Sequence, residues 1–344
     1  MEALLVLLLA VHLLCANVAS VAPLLTIWWE RLEARGDALA GQWGRSLLWH
    51  SILLLLIAFA IGLLLGWQHW SAEYAVAVQR LQNKIWFAVV EFIFSLLLLL
   101  VQVIWWSRSE RCSRAARVTR SIFALLASTN LLYHFPVLMV ILSQLTASVE
   151  LSTEAIEAAE FRQRLLEPGV LARCVHIWLA SIAVTGGWLI AWSCWQGRPV
   201  NDQDPRSRRA IWGARLALIP SLLQIPVGVW LLVTLPAFEQ SRVLGADITI
   251  SVIFGFSVLL AMWLLHLLAA ISFGDTRLEL QVRTVVVLVL VVMLMTAVLR
   301  KLNSPLGPSR PESGQELLER APPSAETLFS QQNVHTLPSS TVLP

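Results

Sequence analysis

His12, Glu91, His134 and His176 all fall inside long apolar stretches of the chain. In hydrocarbon a polar side chain needs a partner, so each of these is a candidate for function. A neutral imidazole ligates iron through a ring nitrogen, and a haem between helices needs such a nitrogen together with a flat surface for the macrocycle. His176, in "ARCVHIWLASIAVTGGWLIAW", is followed at i+4, i+7 and i+11 by Ala180, Ala183 and Gly187. His12 is followed at the same offsets by Ala16, Ala19 and Pro23. Each histidine thus heads a stripe of small residues. Such a stripe leaves room for a porphyrin, or it lets two helices approach closely while the histidine hydrogen-bonds across them.

Glu91, in "KIWFAVVEFIFSLLLLLVQVIWW", shares a helical face with Ser95 and Gln102, which ends about 16 Å further along the axis. That line could pass protons, or Glu91 could be a neutral acid bonded to a neighbouring helix. Asn130 and His134 stand one helical turn apart, with Pro136 expected to loosen the helix beside them. His134 is then either a third haem ligand or the partner of Asn130. His50 and His266 lie toward the opposite face, and His69 and His335 are expected in water.

The elements that must hold these residues are membrane spans. The chain has 344 residues, 57% hydrophobic and 14% charged, with a mean hydropathy of +0.70, too apolar for a soluble domain of this size. Apolar runs long enough to cross about 30 Å of hydrocarbon fall at roughly 3–28, 46–67, 85–106, 121–145, 170–193, 212–236, 247–272 and 284–299. The expected fold is all-α, a polytopic bundle of eight spans over residues 1–303. Arginines gather in the loops at 31–45, 108–120, 198–209 and 277–283, which places those loops in the cytoplasm and both termini outside. Histidines 12, 134 and 176 and Glu91 then belong to the outer half of the membrane.

The start "MEALLV" lacks a positive n-region and Trp28 and Trp29 form an interfacial belt at the far end, so the first run reads as a span and not as a cleaved signal. Cys15, Cys112, Cys174 and Cys194 have no CxxC spacing and read as packing residues. Residues 304–344, rich in Pro, Ser, Gln and Glu, read as a disordered tail. There is no Gly-rich phosphate loop and no basic tract for nucleic acid; membrane lipid is the expected surrounding.

The spans, in order, resemble subunit I of the cytochrome bd quinol oxidases. "HIWLASIAVTGGWLIAWSCWQGR" looks like that family's fifth helix, whose opening histidine ligates the low-spin b haem, a role that falls by resemblance on His176. His12 sits where the family has a first-helix histidine at the oxygen-reducing haem pair. "WGRSLLWHSILLLLIAFAIGLLLG" is similar to the second helix, "FAVVEFIFSLLLLLVQVIWW" to the third, whose glutamate matches Glu91, and "ALLASTNLLYHFPVLMV" to the fourth, with Ser128 to Asn130 on its Ser-Asn. The resemblance covers roughly residues 1–235. It implies one or two b haems, quinol oxidation coupled to oxygen reduction, a small or second helical subunit and the bacterial inner membrane. The C-terminal third departs from the family. The loop "LPAFEQSRVLGAD" is short where a quinol-binding loop belongs, "ITISVIFGFSVLL" has no methionine, and "TVVVLVLVVMLMTAVLR" has no glutamate. One axial ligand of each of two haems therefore has no counterpart at the family's position, leaving His266 and His134 as replacements. A non-catalytic or transport-type membrane bundle, derived from that family and without haem, is the alternative.

Overall fold

A computed structural model describes residues 2–108, 113–147, 154–197 and 204–303. Every regular element among these residues is helical. They are α1 (Glu2–Glu33), α2 (Ala38–Gln68), α3 (Ala72–Arg80), α4 (Gln82–Arg108), α5 (Arg114–Ala147), α6 (Ala158–Leu165), α7 (Pro168–Trp195), α8 (Pro205–Val233), α9 (Ala237–Ser241), α10 (Ile248–Ser272) and α11 (Leu278–Asn303), with a π-helical turn at Arg242–Ala246. Eight of them (α1, α2, α4, α5, α7, α8, α10 and α11) are long and apolar enough to cross a membrane. The sequence expectation of an eight-span all-α bundle holds. The tail from 304 lies outside the described residues.

The helices outrun the apolar segments that announce them. α5 spans 34 residues, or about 51 Å, more than about 30 Å of hydrocarbon requires. Arg120 and Arg209, expected in loops, lie instead inside α5 and α8 and are each 1% exposed. Helix starts follow side-chain chemistry: Asp37, Ser71 and Asp247 accept the main-chain N–H of Ala40, Tyr74 and Ile250 at 3.2 Å each. Caps of this kind contribute about 1 kcal/mol apiece.

α1 lies in the middle, against α2, α5, α7 and α11, while α7 packs along α8 and α10 along α11. Glycine sets the α7–α8 distance: a Cβ added at Gly186 would lie 2.4 Å from the Gly213 carbonyl oxygen and 2.7 Å from the Ala217 nitrogen.

The prolines work in an unexpected way. Pro136 does not interrupt α5. Having no N–H, it leaves the carbonyl four residues earlier without its helical donor. That carbonyl, Leu132 O, accepts the Trp178 indole N–H of α7 at 2.7 Å. Pro23 of α1 likewise frees Ala19 O, which accepts the Ser51 hydroxyl of α2 at 2.8 Å. Both prolines convert a missing intrahelical bond into a bond between helices.

Candidate functional site

Bonds between helices set the relative depth of the polar residues. Ser181 Oγ of α7 donates to Asn17 Oδ1 of α1 at 2.8 Å, and these two helices run in the same direction. Five residues outward from that bond, on each helix, stand His176 and His12, about 7.5 Å up the axis. Trp178 and Leu132 join α7 to the antiparallel α5, and two residues outward on each stand His176 and His134. His12, His134 and His176 therefore share one level. Asn130 Nδ2 donates to Glu91 Oε2, and four residues outward His134 meets the Phe87 ring at 5.2 Å between centroids. The Glu91–Asn130 pair thus lies about 6 Å below the histidine level.

A shared level does not mean a shared site. Among the described residues no group of three or more His, Cys, Asp or Glu side chains converges as a metal site would. His12 faces α2, where its Nδ1 meets Ala58 O at 2.8 Å and a Cβ on Gly62 would come within 2.9 Å of its Cε1. Because a carbonyl only accepts, Nδ1 carries the proton and Nε2 keeps its lone pair, the form in which imidazole ligates a metal. His176 is different. Its Nδ1 is buried with no hydrogen-bond partner among the described residues, and Gln224 Nε2 reaches its main-chain oxygen at 3.5 Å. A buried polar atom left unpaired costs about 1–3 kcal/mol.

His134 turns the other way, toward α4, between the rings of Phe87 and Tyr133. Of the two alternatives for His134, partnership with Asn130 is not found: Asn130 bonds Glu91 of the facing helix instead. Below Glu91, Ser95 and Gln102 face inward, 0% and 1% exposed. Gln102 Nε2 reaches Thr26 Oγ1 at 3.4 Å, while Ser95 Oγ and Gln102 Oε1 have no partner among the described residues.

The small stripe below His176 is filled over its lower part. A Cβ on Gly187 would sit 2.2 Å from Leu288 Cδ2 of α11, and Ala183 is buried. On α1, Ala19 is fully buried. His176 and Ala180, at the top of the stripe, remain only partly covered.

The inner half holds polar contacts that sequence reasoning missed. Glu30 and Arg120 form a buried ion pair, with Arg120 Nε 2.8 Å from Glu30 Oε1. Glu33 binds Arg45 at 2.8 Å and accepts the Trp106 indole N–H at 3.1 Å. The Arg209 guanidinium lies 4.0 Å from the Trp192 ring centroid and donates to Ser193 Oγ at 3.1 Å and Gln196 Oε1 at 2.5 Å. His50 Nδ1 accepts from Trp188 Nε1 at 3.4 Å. His266 is exposed on α10 and joins none of these contacts. At the turn before α2, burial raises the Asp37 carboxyl, but the Arg208 guanidinium and the Ala40 N–H outweigh it and hold the group below the usual carboxylate range.

No protein-family model matches the chain, and no curated protein matches it. Among solved structures, the bd oxidase from Geobacillus thermodenitrificans superposes with a TM-score of 0.67 over 86% of this chain and 85% of that one, at 14% sequence identity. Over most of its length, this membrane protein has the fold of a bd oxidase chain.

Proposed function

We propose that the protein is a b-type haem protein of the bd oxidase kind, acting in respiratory electron transfer from a quinol toward oxygen in a bacterial inner membrane, with a small or second helical subunit as partner. The observation that carries this reading is the His176 ring: in a bundle with that fold, a buried Nδ1 stands without a partner. Metal ligation through that nitrogen would offset the cost of burying it. His12 fits a second haem, because the bond to Ala58 O leaves its Nε2 lone pair uncommitted. His176 and His12 are the two residues that would hold the group.

When bound, haem supplies a one-electron couple. His176 would hold it from α7 and His12 from α1, where the Ala58 carbonyl orients the imidazole. The Asn17–Ser181 bond keeps the two helices in register, so both histidines stay at one depth. The Glu91 carboxyl lies about 6 Å below that depth, where Asn130 orients it. A second reading, a bundle of transport type without haem, is favoured by the packing of Gly186 and Gly187 directly against α8 and α11.

A dithionite-reduced minus oxidised spectrum of the purified protein separates the two. Bands of b type are expected. His176→Ala should lose haem outright, and His12→Ala should remove a different spectral component while sparing the low-spin signal. A featureless spectrum, or unchanged haem in folded His176→Ala, refutes the proposal.

A further inference from the structure

We infer that the arginine-bearing ends of α1 and α8 form a binding surface for the phosphate headgroup of an anionic phospholipid, built around the Trp28–Trp212 pair. The surface lies about 24 Å along α1 from His12, at the end expected in the cytoplasm.

Two helix faces meet there. On α1, Arg31 follows Trp28 by three residues and shares its face. Arg35 continues the winding in the turn that follows, where its N–H donates to Leu32 O at 3.0 Å. On α8, Trp212 and Arg215 follow Arg208 by four and seven residues, again along one face. The two tryptophans join the faces, with ring centroids 6.1 Å apart, and Trp28 is 45% exposed. Tryptophan beside arginine at a span end marks the depth of lipid headgroups. Outward from Arg215 the same face of α8 turns apolar: Ile219 and Leu222, four and seven residues on, are 64% and 48% exposed. The arginines thus lead into a wall along which an acyl chain can lie, and this selects a lipid over a free phosphate.

Charge separates this surface from other arginines of the same side. Arg120, Arg45 and Arg277 are neutralised within the chain by Glu30, Glu33 and Asp275. Arg31, Arg35 and Arg215 form no ion pair among the described residues. Arg215 reaches only a main-chain oxygen, that of Ser272, at 3.3 Å from its Nε. Arg208 is paired with Asp37 yet stays 42% exposed. Orientation of the chain needs positive charge anywhere in these loops, but not three unpaired cations gathered around two tryptophans on bilayer-facing helix sides. A phosphate diester supplies the missing acceptors, because the guanidinium N–H groups match its oxygens in bidentate pairs.

The test uses full-length protein purified in micelles, given defined mixtures of phosphatidylglycerol and phosphatidylcholine, with the lipid retained per polypeptide read by native mass spectrometry. Phosphatidylglycerol should be retained in preference to phosphatidylcholine. Arg31→Gln, Arg35→Gln and Arg215→Gln should each weaken its binding about fivefold, and the triple variant about a hundredfold. Arg277→Gln, which removes a guanidinium already paired in the chain, should leave binding unchanged, and excess inorganic phosphate should not displace the lipid. All three tested positions are exposed; unfolding in phosphatidylcholine alone confirms that the variants are folded, and the single variants carry the test if the triple one is not. Equal retention of the two lipids, unchanged binding in the folded variants, an equal loss in Arg277→Gln, or displacement by inorganic phosphate would each overturn the inference.

Discussion

Glu30→Leu removes the carboxylate from one of the most deeply buried ion pairs of the inner half. Arg120 and Glu30 are 1% and 3% exposed, their Nε–Oε1 separation is 2.8 Å, and the guanidinium carbon stands 5.5 Å from the Trp106 ring and 6.0 Å from that of Trp105. Water cannot replace the lost carboxylate without opening that packing, and the aromatic faces compensate a buried cation by only about 2 kcal/mol. The expected cost is about 3–5 kcal/mol. Glu30→Gln retains an acceptor oxygen and should cost less, about 2–3 kcal/mol. The double variant Glu30→Leu with Arg120→Leu removes both charges together and should come within about 1–2 kcal/mol of the parent. Unfolding of the membrane-inserted, purified protein in mixed micelles, measured for the four members of the cycle, gives the coupling energy. Strictly additive single changes, each below about 1 kcal/mol, would refute the claim that the two charges stabilise one another in a site closed to water.

A reporter fused after Pro344 should be exposed outside the cytoplasm, since arginine-rich loops are expected within it; a cytoplasmic signal would reverse the depth order. Gly186→Val should destabilise by about 3 kcal/mol or more, because its Cβ meets backbone atoms of α8 that cannot rotate away, whereas valine at Gly228, where a Cβ meets nothing within 4 Å, should be tolerated in the same unfolding assay. The Asp247 carboxyl is held low by the Ile250 N–H that it caps. A depressed folded pKa means that the cap's contribution is present above the unfolded value and is lost only as pH falls through the folded one. Proteolysis at the outer end of α10 should therefore be unchanged from neutral pH down to about pH 5 and rise only below about pH 4, while Asp247→Asn should abolish that acid step.

What the sequence determines by itself is the part of this protein that lipid dictates. A backbone in hydrocarbon must satisfy its hydrogen bonds within each segment, so hydropathy alone marks eight helices, arginine distribution orients them, and counting from the span ends puts His12, His134, His176 and Glu91 in one half of the membrane. The tertiary structure decides which groups meet. Asn130 could turn to His134 on its own helix or to Glu91 on the next, and only the register of α5 against α4 selects Glu91. Ala183 and Gly187 could line a porphyrin or receive a helix, and the position of α11 gives Gly187 to Leu288. Arg120 and Arg209 read as loop cations because their neighbours are polar, yet helices longer than the hydrocarbon carry them into the packed interface. Pro23 and Pro136 carried a readable signal, a carbonyl freed four residues upstream, but not the identity of the donor. Periodicity along one helix fixes a face and a depth, whereas partners across helices depend on rotation and stagger, which are set by the packing of side chains far apart in the chain.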